Sequence, residues 1–358
     1  TFEGDRTVIV DGLCSVVGAG TTEPLVFRSG ASVESSFLAY SLRTDSFLKL
    51  GHAAMYGVAG QQRVPDEFVM DWPIRTPPLD EQRRIADFLD EETRRIDRLV
   101  LIRERQIALI EEKIFSGLSE TLVPGSCSGP EGKLPFPWLP SIPQDRPLVK
   151  LGHICRLQNG ITIDNKRKLA GDVVTLPYLR VANVQAGHVD LDTVVEVTVP
   201  RETAARSTLR RGDVLMTEGG DLDKLGRGAV WHDEIPGCLH QNHIFALRPD
   251  QGLLDGEYLS LMTRTAHGRC YFESTGSRTT NLASTNSSKI LDFRIPLPSL
   301  GRQRELASES HGMISGITRM ADALQRQIEL LGERKRALIT AAVTGEFDVS
   351  TASGRGTV

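Results

Sequence analysis

The sequence lacks the short motifs by which several enzyme classes bind phosphate or activate a nucleophile. It has no Walker A pattern and no Gly-x-Ser-x-Gly turn. It also lacks the Asn/Asp-Pro-Pro-aromatic tetrapeptide of amino-methyltransferases. These absences oppose an enzyme and favour a chain that binds rather than catalyses.

Cysteine and long apolar runs are also scarce. The five cysteines are odd in number, widely scattered and form no Cys-x-x-Cys pair, which favours reduced thiols over a disulfide framework or zinc knuckle. No apolar run approaches the roughly 20 residues of a membrane span. The N-terminal residues show no secretory signal pattern. We therefore expect a cytoplasmic chain.

The chain has no strong excess of either charge. Its 358 residues suit two or more domains, and 40% hydrophobic with 25% charged residues is a soluble globular profile. The net charge of −4 argues against indiscriminate electrostatic binding to nucleic acid. A nucleic-acid binder with positive charge on one face remains open.

An internal repeat organises the sequence at an offset of 221 residues. Segment 71–83, DWPIRTPPLDEQR, recurs as DFRIPLPSLGRQR at 292–304, with Gln82 falling on Gln303. The match continues without a gap, so that Arg43 falls on Arg264. No set of catalytic residues recurs in both copies.

The repeat predicts the order of domains. Residues 148–221 have no counterpart in the first copy, so we expect the first module to lack its front part, and the absence of an initial Met fits a trimmed chain or fragment. The predicted segments are a partial module (1–76), a helix (77–123), a Pro/Gly-rich linker (124–147), a full module (148–296), a second helix (297–345) and a tail (346–358).

Both helical segments carry an apolar stripe with mostly three- and four-residue spacing. The stripes predict that the helices pair as an antiparallel coiled coil if the intervening module folds back. The alternative is two independent surface helices, each docked on its own module. The residues predicted at the helix interface are Ile85, Leu89, Ile96, Leu99, Ile107, Ile110, Ile317, Leu324, Ile328 and Leu331.

The full module mixes strand patterns with polar loops, which predicts an α+β fold of two repeated modules, each followed by a long helix. Strands are predicted within 173–184, 212–217, 227–231 and 243–249, and one helix over 256–272. Trp138 is a candidate to pin the linker to a neighbouring surface.

Several polar loops are candidates for contact with DNA. The basic run at 165–168, the loop at 218–227 and the Ser/Thr-rich loop at 274–282 carry side chains that suit phosphates and base edges. The loop of the first copy that matches 274–282 is also polar but differs in sequence, as expected of two readers of different sites. The predicted DNA contacts are Lys166, Arg167, Lys168, Arg180, Asn183, Lys224, Arg227, Gln241, Asn242, Arg278, Thr279, Thr280, Asn281, Gln61, Gln62 and Arg63.

Cys238, His240 and His243 form a Cys-x-His-x-x-His cluster that also occurs in zinc sites. Three ligands do not close a structural zinc site, and the first copy has Val17, Ala19 and Thr22 at these positions. Strand residues that face DNA are the preferred interpretation, and no metal is expected.

The repeat resembles the specificity subunit of type I restriction–modification systems. The segments PPLDEQRRIADFLDEETRRID, GDVLMTEGGDLDKLGRGAVW and ERKRALITAAVTGEFD carry the resemblance. It implies a non-catalytic subunit of a defence system against foreign DNA, with target recognition domains that read two halves of a bipartite double-stranded site. It also implies two methyltransferase subunits and restriction (translocase) subunits as partners, with S-adenosylmethionine, ATP and Mg in those partners and no cofactor in this chain.

Two other functions are open at this point. One is a coiled-coil scaffold without DNA binding. The other is a specificity module detached from a fused restriction–methylation enzyme.

Overall fold

The computed structural model describes residues 7, 9, 25–57, 63–125, 136–139, 146–163, 171–220, 225–278 and 283–349. Their contacts divide them into two units. The first unit holds the described residues up to Ala108 and those from Met320 onward, and the second holds those of Leu109–Arg319. Across the described ranges, no helix is both long and apolar enough to cross a membrane.

Among the described residues, the part before residue 147 is helical, and helices and strands are mixed after it. The early helices are α1 (Ser35–Ser41), α2 (Asp45–Ala53), α3 (Asp66–Met70) and α4 (Leu79–Leu122). Then follow β1 (Leu148–Lys150), α5 (Leu151–Ile154), β2 (Cys155–Asn159), β3 (Val173–Leu179), β4 (Val195–Pro200), α6 (Arg201–Ser207), β5 (Val214–Thr217), β6 (Gly219–Gly220), β7 (Gly228–Val230), β8 (Leu239–His240), β9 (Ile244–Pro249), α7 (Gly256–Thr263), α8 (Ala266–Thr275), β10 (Ser277–Arg278), β11 (Ala283–Ser284), α9 (Ser287–Asp292), β12 (Arg294–Pro296) and α10 (Leu300–Thr344). The predicted mixed helix-and-sheet fold with two long helices is confirmed.

The short helices repeat at the offset found in the sequence. Helices α1, α2 and α3 of the first unit match α7, α8 and α9 of the second. The side chain of Thr44 accepts a hydrogen bond from the Phe47 N–H at the start of α2. The side chain of Thr265 does the same for Gly268 at the start of α8. A hydroxyl cap of this kind satisfies an N–H that has no partner within its own helix.

The single helix predicted over 256–272 is wrong, because the chain breaks between α7 and α8 at Thr265. The backbone of Thr265 is extended, with φ −75° and ψ 167°. Its hydroxyl donates to the Met262 carbonyl at 2.7 Å and so occupies the last turn of α7. The apolar pattern carries no sign of the break, whereas the hydroxyl bonds at Thr265 create it.

The repeated glutamines anchor the start of each long helix. Gln82 is fully buried; its Oε1 accepts from the Glu34 N–H, and its Nε2 donates to the carbonyls of Ser32 and Pro77. Gln303 makes the same three bonds with Asp255, Leu253 and Pro298, at 2.9 Å each. The shared sequence motif is therefore a shared buried hydrogen-bond network.

The long helices run antiparallel in each unit. In the first unit, Ile85 and Leu89 near the start of α4 share a core with Ile339 and Val343 near the end of α10. The Lys335 ammonium of α10 also bonds both carboxylate oxygens of Asp97 of α4, at 2.6 and 2.8 Å.

In the second unit, Met313 of α10 lies against Gly117 of α4, where an added Cβ would be 2.8 Å from the Met313 sulfur. Along the predicted interface, Ile85, Leu89 and Ile96 are buried and Leu99 is 38% exposed. The remaining members are partly exposed, namely Ile107, Ile110, Ile317, Leu324, Ile328 and Leu331.

In the part of the second unit that the structure describes, the strands form four small sheets. The largest is antiparallel in the order β2-β9-β5-β7, and another has the order β4-β3-β8 with β3 and β8 parallel. A further sheet is β10-β11-β6, and β1 pairs with β12. Each predicted strand segment contains one of these strands.

An ion pair joins two neighbouring strands of the largest sheet. The guanidinium of Arg248 in β9 holds the buried carboxylate of Asp213, which directly precedes β5, through two bonds of 2.7 and 2.8 Å.

Part of the linker is attached to the second unit through aromatic side chains. The Trp138 Nε1–H donates to His267 Nδ1 at 2.8 Å, and Phe136 stacks on Trp138 with ring centroids 5.1 Å apart. Because His267 Nδ1 accepts this bond, the neutral ring carries its proton on Nε2, which donates to the Arg294 carbonyl at 2.7 Å. Burial lowers the pKa of His267 to about 4. The tryptophan expected to pin the linker does so through this histidine.

Stability is expected to fall with acid because of His267. Its folded pKa of about 4 lies below the ordinary value of 6.5, so the unfolded chain binds the proton first as the pH falls. The contribution of His267 is complete above about pH 6.5 and decreases by about 3 kcal/mol by pH 4. Urea unfolding of the wild type and His267→Gln at several pH values measures it, with the exposed His188→Gln as control. Equal pH dependence in His267→Gln and the wild type would contradict the assignment.

Candidate nucleic-acid interface

Two loops that the sequence proposed separately for DNA contact meet in one small sheet. Gly219 and Gly220 of β6 pair with Ser284 and Ala283 of β11, and β11 pairs in turn with β10. The Thr285 N–H donates to the Glu218 carbonyl at 2.7 Å and continues this pairing. The loop at 218–227 and the loop at 274–282 are thereby fixed side by side at their bases.

Two glycines allow neighbouring groups to pack closely against the backbone of the 218–227 loop. At Gly219, an added Cβ would be 3.3 Å from the Ala283 carbonyl oxygen, so a larger residue would press on the paired strand. Gly226 has φ +69°, a conformation that favours glycine, and an added Cβ there would meet the Phe272 ring at 2.2 Å. The backbone path of the 218–227 loop therefore depends on glycine at both ends.

An acidic side chain in the first loop is already held by a neighbour. The His243 Nδ1 and a carboxylate oxygen of Glu218 are 2.5 Å apart, and the Glu218 N–H donates to the His243 carbonyl. This pairing fixes the orientation of the carboxylate beside β6.

The polar residues that follow β3 support a turn. Asn183 is buried; its Oδ1 accepts from the Arg180 N–H and its Nδ2 donates to the Asp190 carbonyl. Arg180 is exposed, and its Nη2 donates to the Thr193 carbonyl at 3.2 Å. Both the oxygen and the nitrogen of the Asn183 side-chain amide thus bond within the protein, whereas the Arg180 side chain lies at the surface.

Gln241 and Asn242 lie where β8 passes close to the end of β2. The Gln241 Oε1 accepts from the Val181 N–H, and the Asn242 N–H donates to the Ile161 carbonyl. Gly160 permits this crossing, because an added Cβ there would be 2.1 Å from the Gln241 carbonyl oxygen. Both side chains are partly exposed.

The remaining predicted contacts are only partly covered by the structure. Arg227 is partly exposed directly before β7, and the exposed Arg63 pairs with Tyr56 through two backbone bonds of 3.0 Å. Arg278 is described through its backbone alone. The other predicted contacts lie outside the described residues: Lys166, Arg167, Lys168, Lys224, Thr279, Thr280, Asn281, Gln61 and Gln62.

The Cys-x-His-x-x-His segment does not gather into one site. Cys238 is fully buried, and burial raises the pKa of its thiol to about 12. His240 is also fully buried, with Nδ1 on the Ile244 carbonyl, and burial lowers its pKa. His243 is exposed and pairs with Glu218. Within the described ranges, no three His, Cys, Asp or Glu side chains are placed to hold a metal ion.

One arginine recurs at the repeat offset but was not among the contacts predicted from the sequence. Arg264 caps the end of α7, and its counterpart Arg43 lies two residues after the end of α1.

The structure defines a class of protein in which two repeated modules are each followed by a long helix. A buried glutamine network anchors the start of each long helix, and the two helices pair with one another. No protein-family model matches the sequence. Curated relatives are specificity subunits of type I restriction enzymes, and the resemblance inferred from the sequence is confirmed.

Particular relatives show the extent of the similarity. The MjaX specificity subunit of Methanocaldococcus jannaschii is 24% identical over 210 residues, which is 58% of this chain and 48% of that protein. The EcoAI specificity subunit of Escherichia coli is 41% identical over 85 residues, 24% of this chain and 14% of that protein. The chain thus spans about half the length of the first relative and less of the second.

A solved structure shares the fold. It belongs to work on complex assembly and conformational transition of the type I R-M system. It matches with a TM-score of 0.64 at 20% identity, covering 87% of this chain and 71% of the other.

Proposed function

We propose that the chain is the sequence-specific DNA-binding specificity subunit of a type I restriction–modification complex. The observation that carries the proposal is the β10-β11-β6 sheet, which holds two polar loops side by side on a module that is followed by an anchored long helix. Polar and arginine side chains in such loops suit phosphates and base edges. The module at 148–296 would read one half of a bipartite site, and the module at 1–76 would contribute to the other.

The distribution of polar residues supports reading of two different sequences. The glutamine network is the same in both units, whereas the loop at 58–63 differs in sequence from its counterpart at 279–284. A net charge of −4 further favours localised contact over general attraction to DNA. Anchors that are the same in both copies, combined with loops that differ, are the arrangement expected of two DNA-reading modules in one chain.

The long helices supply candidate surfaces for partner proteins. In the first unit, large apolar side chains of α4 and α10 are exposed, among them Leu101 at 65%, Leu330 at 62% and Met320 at 61%. Exposed apolar side chains on a helical pair suit contact with another protein. We assign these helices to the binding of two methyltransferase subunits, and restriction subunits would complete the complex.

The chain itself would supply no chemistry in this complex. S-adenosylmethionine, ATP and Mg would be bound by the partner subunits, and the complex would act on DNA in the cytoplasm. The segments 77–123 and 297–345 would then be the spacer helices, and 124–147 the connector between the two halves of the chain.

The methylated motif tests the proposal directly. The chain is expressed with modification subunits in a host that lacks other adenine methylation, and the genome is read by single-molecule sequencing. We expect adenine marks on a split motif that appear only when the chain is present. The scaffold alternative predicts no motif that depends on this chain. Marks that are identical without the chain would overturn the proposal.

A further inference from the structure

Glu218 has a fixed position in the second unit, between two sheets. It directly follows β5 and directly precedes β6. Its N–H donates to the His243 carbonyl at 2.8 Å, and its carbonyl accepts from the Thr285 N–H at 2.7 Å. Because both of its backbone groups are bonded to neighbouring segments, the Glu218 side chain projects from a well-anchored part of the module.

The Glu218 carboxylate has one oxygen held by the protein and one left for another donor. Its Oε2 accepts from Nδ1 of His243, the residue directly before β9, at 2.5 Å. Among the described residues, no group bonds the other oxygen, Oε1. Both side chains are accessible, since Glu218 is 34% and His243 52% exposed. The pair thus presents a positioned acceptor to a molecule outside the chain.

A carboxylate at this position distinguishes between the groups that duplex DNA offers. It accepts hydrogen bonds but donates none, and backbone phosphates repel it. In the major groove, cytosine N4 and adenine N6 are amino donors, whereas thymine O4 and guanine O6 are acceptors. A transition from cytosine to thymine, or from adenine to guanine, therefore replaces a donor by an acceptor at the same place. A fixed carboxylate favours the amino base and disfavours the transition.

The histidine that holds the carboxylate is not shared by the two copies of the repeat. At the repeat offset, His243 falls on Thr22, which has no ring nitrogen. The buried glutamines Gln82 and Gln303, in contrast, recur with the same three bonds. A feature of one module alone suits a base that differs between two half-sites, since the phosphate backbone is common to both.

We propose that Glu218 accepts a hydrogen bond from an exocyclic amino group of a base, cytosine N4 or adenine N6, in the major groove, and that His243 positions its carboxylate. The inference rests on the proposed function and deepens it, because it names a specificity-determining residue of the module at 148–296.

The test exchanges the carboxylate for an amide of the same shape. Wild type and Glu218→Gln are each assembled with modification subunits, and methylation rates are measured on duplexes that carry the wild-type motif or one of its single transitions. An amide can both accept and donate, so Glu218→Gln should tolerate a keto base where the wild type requires an amino base. At one position of one half-site, the rate on the transition relative to the motif should rise about tenfold. The wild-type base pair there identifies the amino group as that of cytosine or of adenine.

Matched variants separate base reading from a structural role. Glu202→Gln removes an equal charge from an exposed glutamate that pairs with Arg206 on its own helix, and it should leave every preference unchanged. His243→Ala should relax the same position as Glu218→Gln. His243→Asn keeps an N–H donor near the place of Nδ1 and should restore the wild-type preference.

Three results would overturn the inference and leave the proposed function intact, provided that the wild-type motif depends on the chain. They are unchanged preferences in Glu218→Gln, a loss of methylation by Glu218→Gln on every duplex, and a relaxation that extends to several positions or to transversions alone. Absence of any motif that depends on the wild-type chain would overturn the proposed function itself.

Discussion

Replacement of Gln303 by alanine is expected to lower the free energy of unfolding of the second unit by about 4 kcal/mol. The side chain is fully buried and satisfies the Asp255 N–H and the carbonyls of Leu253 and Pro298. Each buried polar group left without a partner costs about 1–3 kcal/mol. Urea unfolding followed by circular dichroism measures the loss. Gln82→Ala should cause a loss of similar size in the first unit, because its three bonds are the same.

Two further variants make this prediction specific. Gln327→Ala removes an exposed glutamine from the same helix and should change stability by less than about 0.5 kcal/mol. Gln303→Glu keeps the shape of the side chain but removes the two N–H donors and adds a buried charge, so it should be no less damaging than alanine. A Gln303→Glu chain as stable as the wild type would show that the network does not anchor the helix.

The sequence predicted the repeat because its strongest signals are local. Gln82 and Gln303 each stand in a Pro-rich entry to a long apolar stripe, and the match at one offset marked both. The structure gives the physical reason: the carbonyls of Pro77 and Pro298 are partners of the two amides. The short spacing between proline and glutamine in the sequence is therefore the spacing that the buried hydrogen bonds require.

Contacts between distant segments left no such signal. Ser119 near the end of α4 accepts a hydrogen bond from the Ala266 N–H at the start of α8, and Thr340 of α10 accepts one from the Asp45 N–H at the start of α2. The two bonds occupy equivalent positions at the repeat offset. A serine or threonine inside a helical pattern, however, does not indicate which distant N–H it will bond. The pairing of β6 with β11 could not be predicted either, because these short segments are far apart in the sequence and carry no pattern that links them.

The candidate site was less predictable than the fold because polar residues serve both roles. Asn183 and Arg180 stand close together in a polar segment, but the structure buries the first within a turn and exposes the second. Cys238 and His243 share a metal-like spacing, but one is buried and the other pairs with Glu218. Residue type indicates what a side chain can bind, whereas only the tertiary fold decides whether it is accessible.

Lengthening both long helices by one heptad is expected to widen the gap in the recognised DNA site by about three base pairs. Seven helical residues advance about 10 Å, and stacked base pairs are about 3.4 Å apart. Both helices must be lengthened because they run antiparallel and are tied by the Asp97–Lys335 pair. From that pair, Glu104 of α4 lies opposite Ile328 of α10, so the insertions belong after Glu104 and before Ile328. A full heptad preserves the apolar stripe that a shorter insertion would rotate out of register.

The expected result follows from the proposed role of the helices as the spacer between two readers. The bases recognised at either end should stay the same, because the modules at 1–76 and 148–296 are unchanged. The same seven residues inserted into the linker at 126–135 are the control and should leave the gap as it is. The methylated motif, read by single-molecule sequencing, reports all three chains. An unchanged gap with robust methylation by the doubly lengthened chain would mean that the helices do not set the spacing, and would remove the spacer from the proposed function while leaving the reading of DNA by the modules intact.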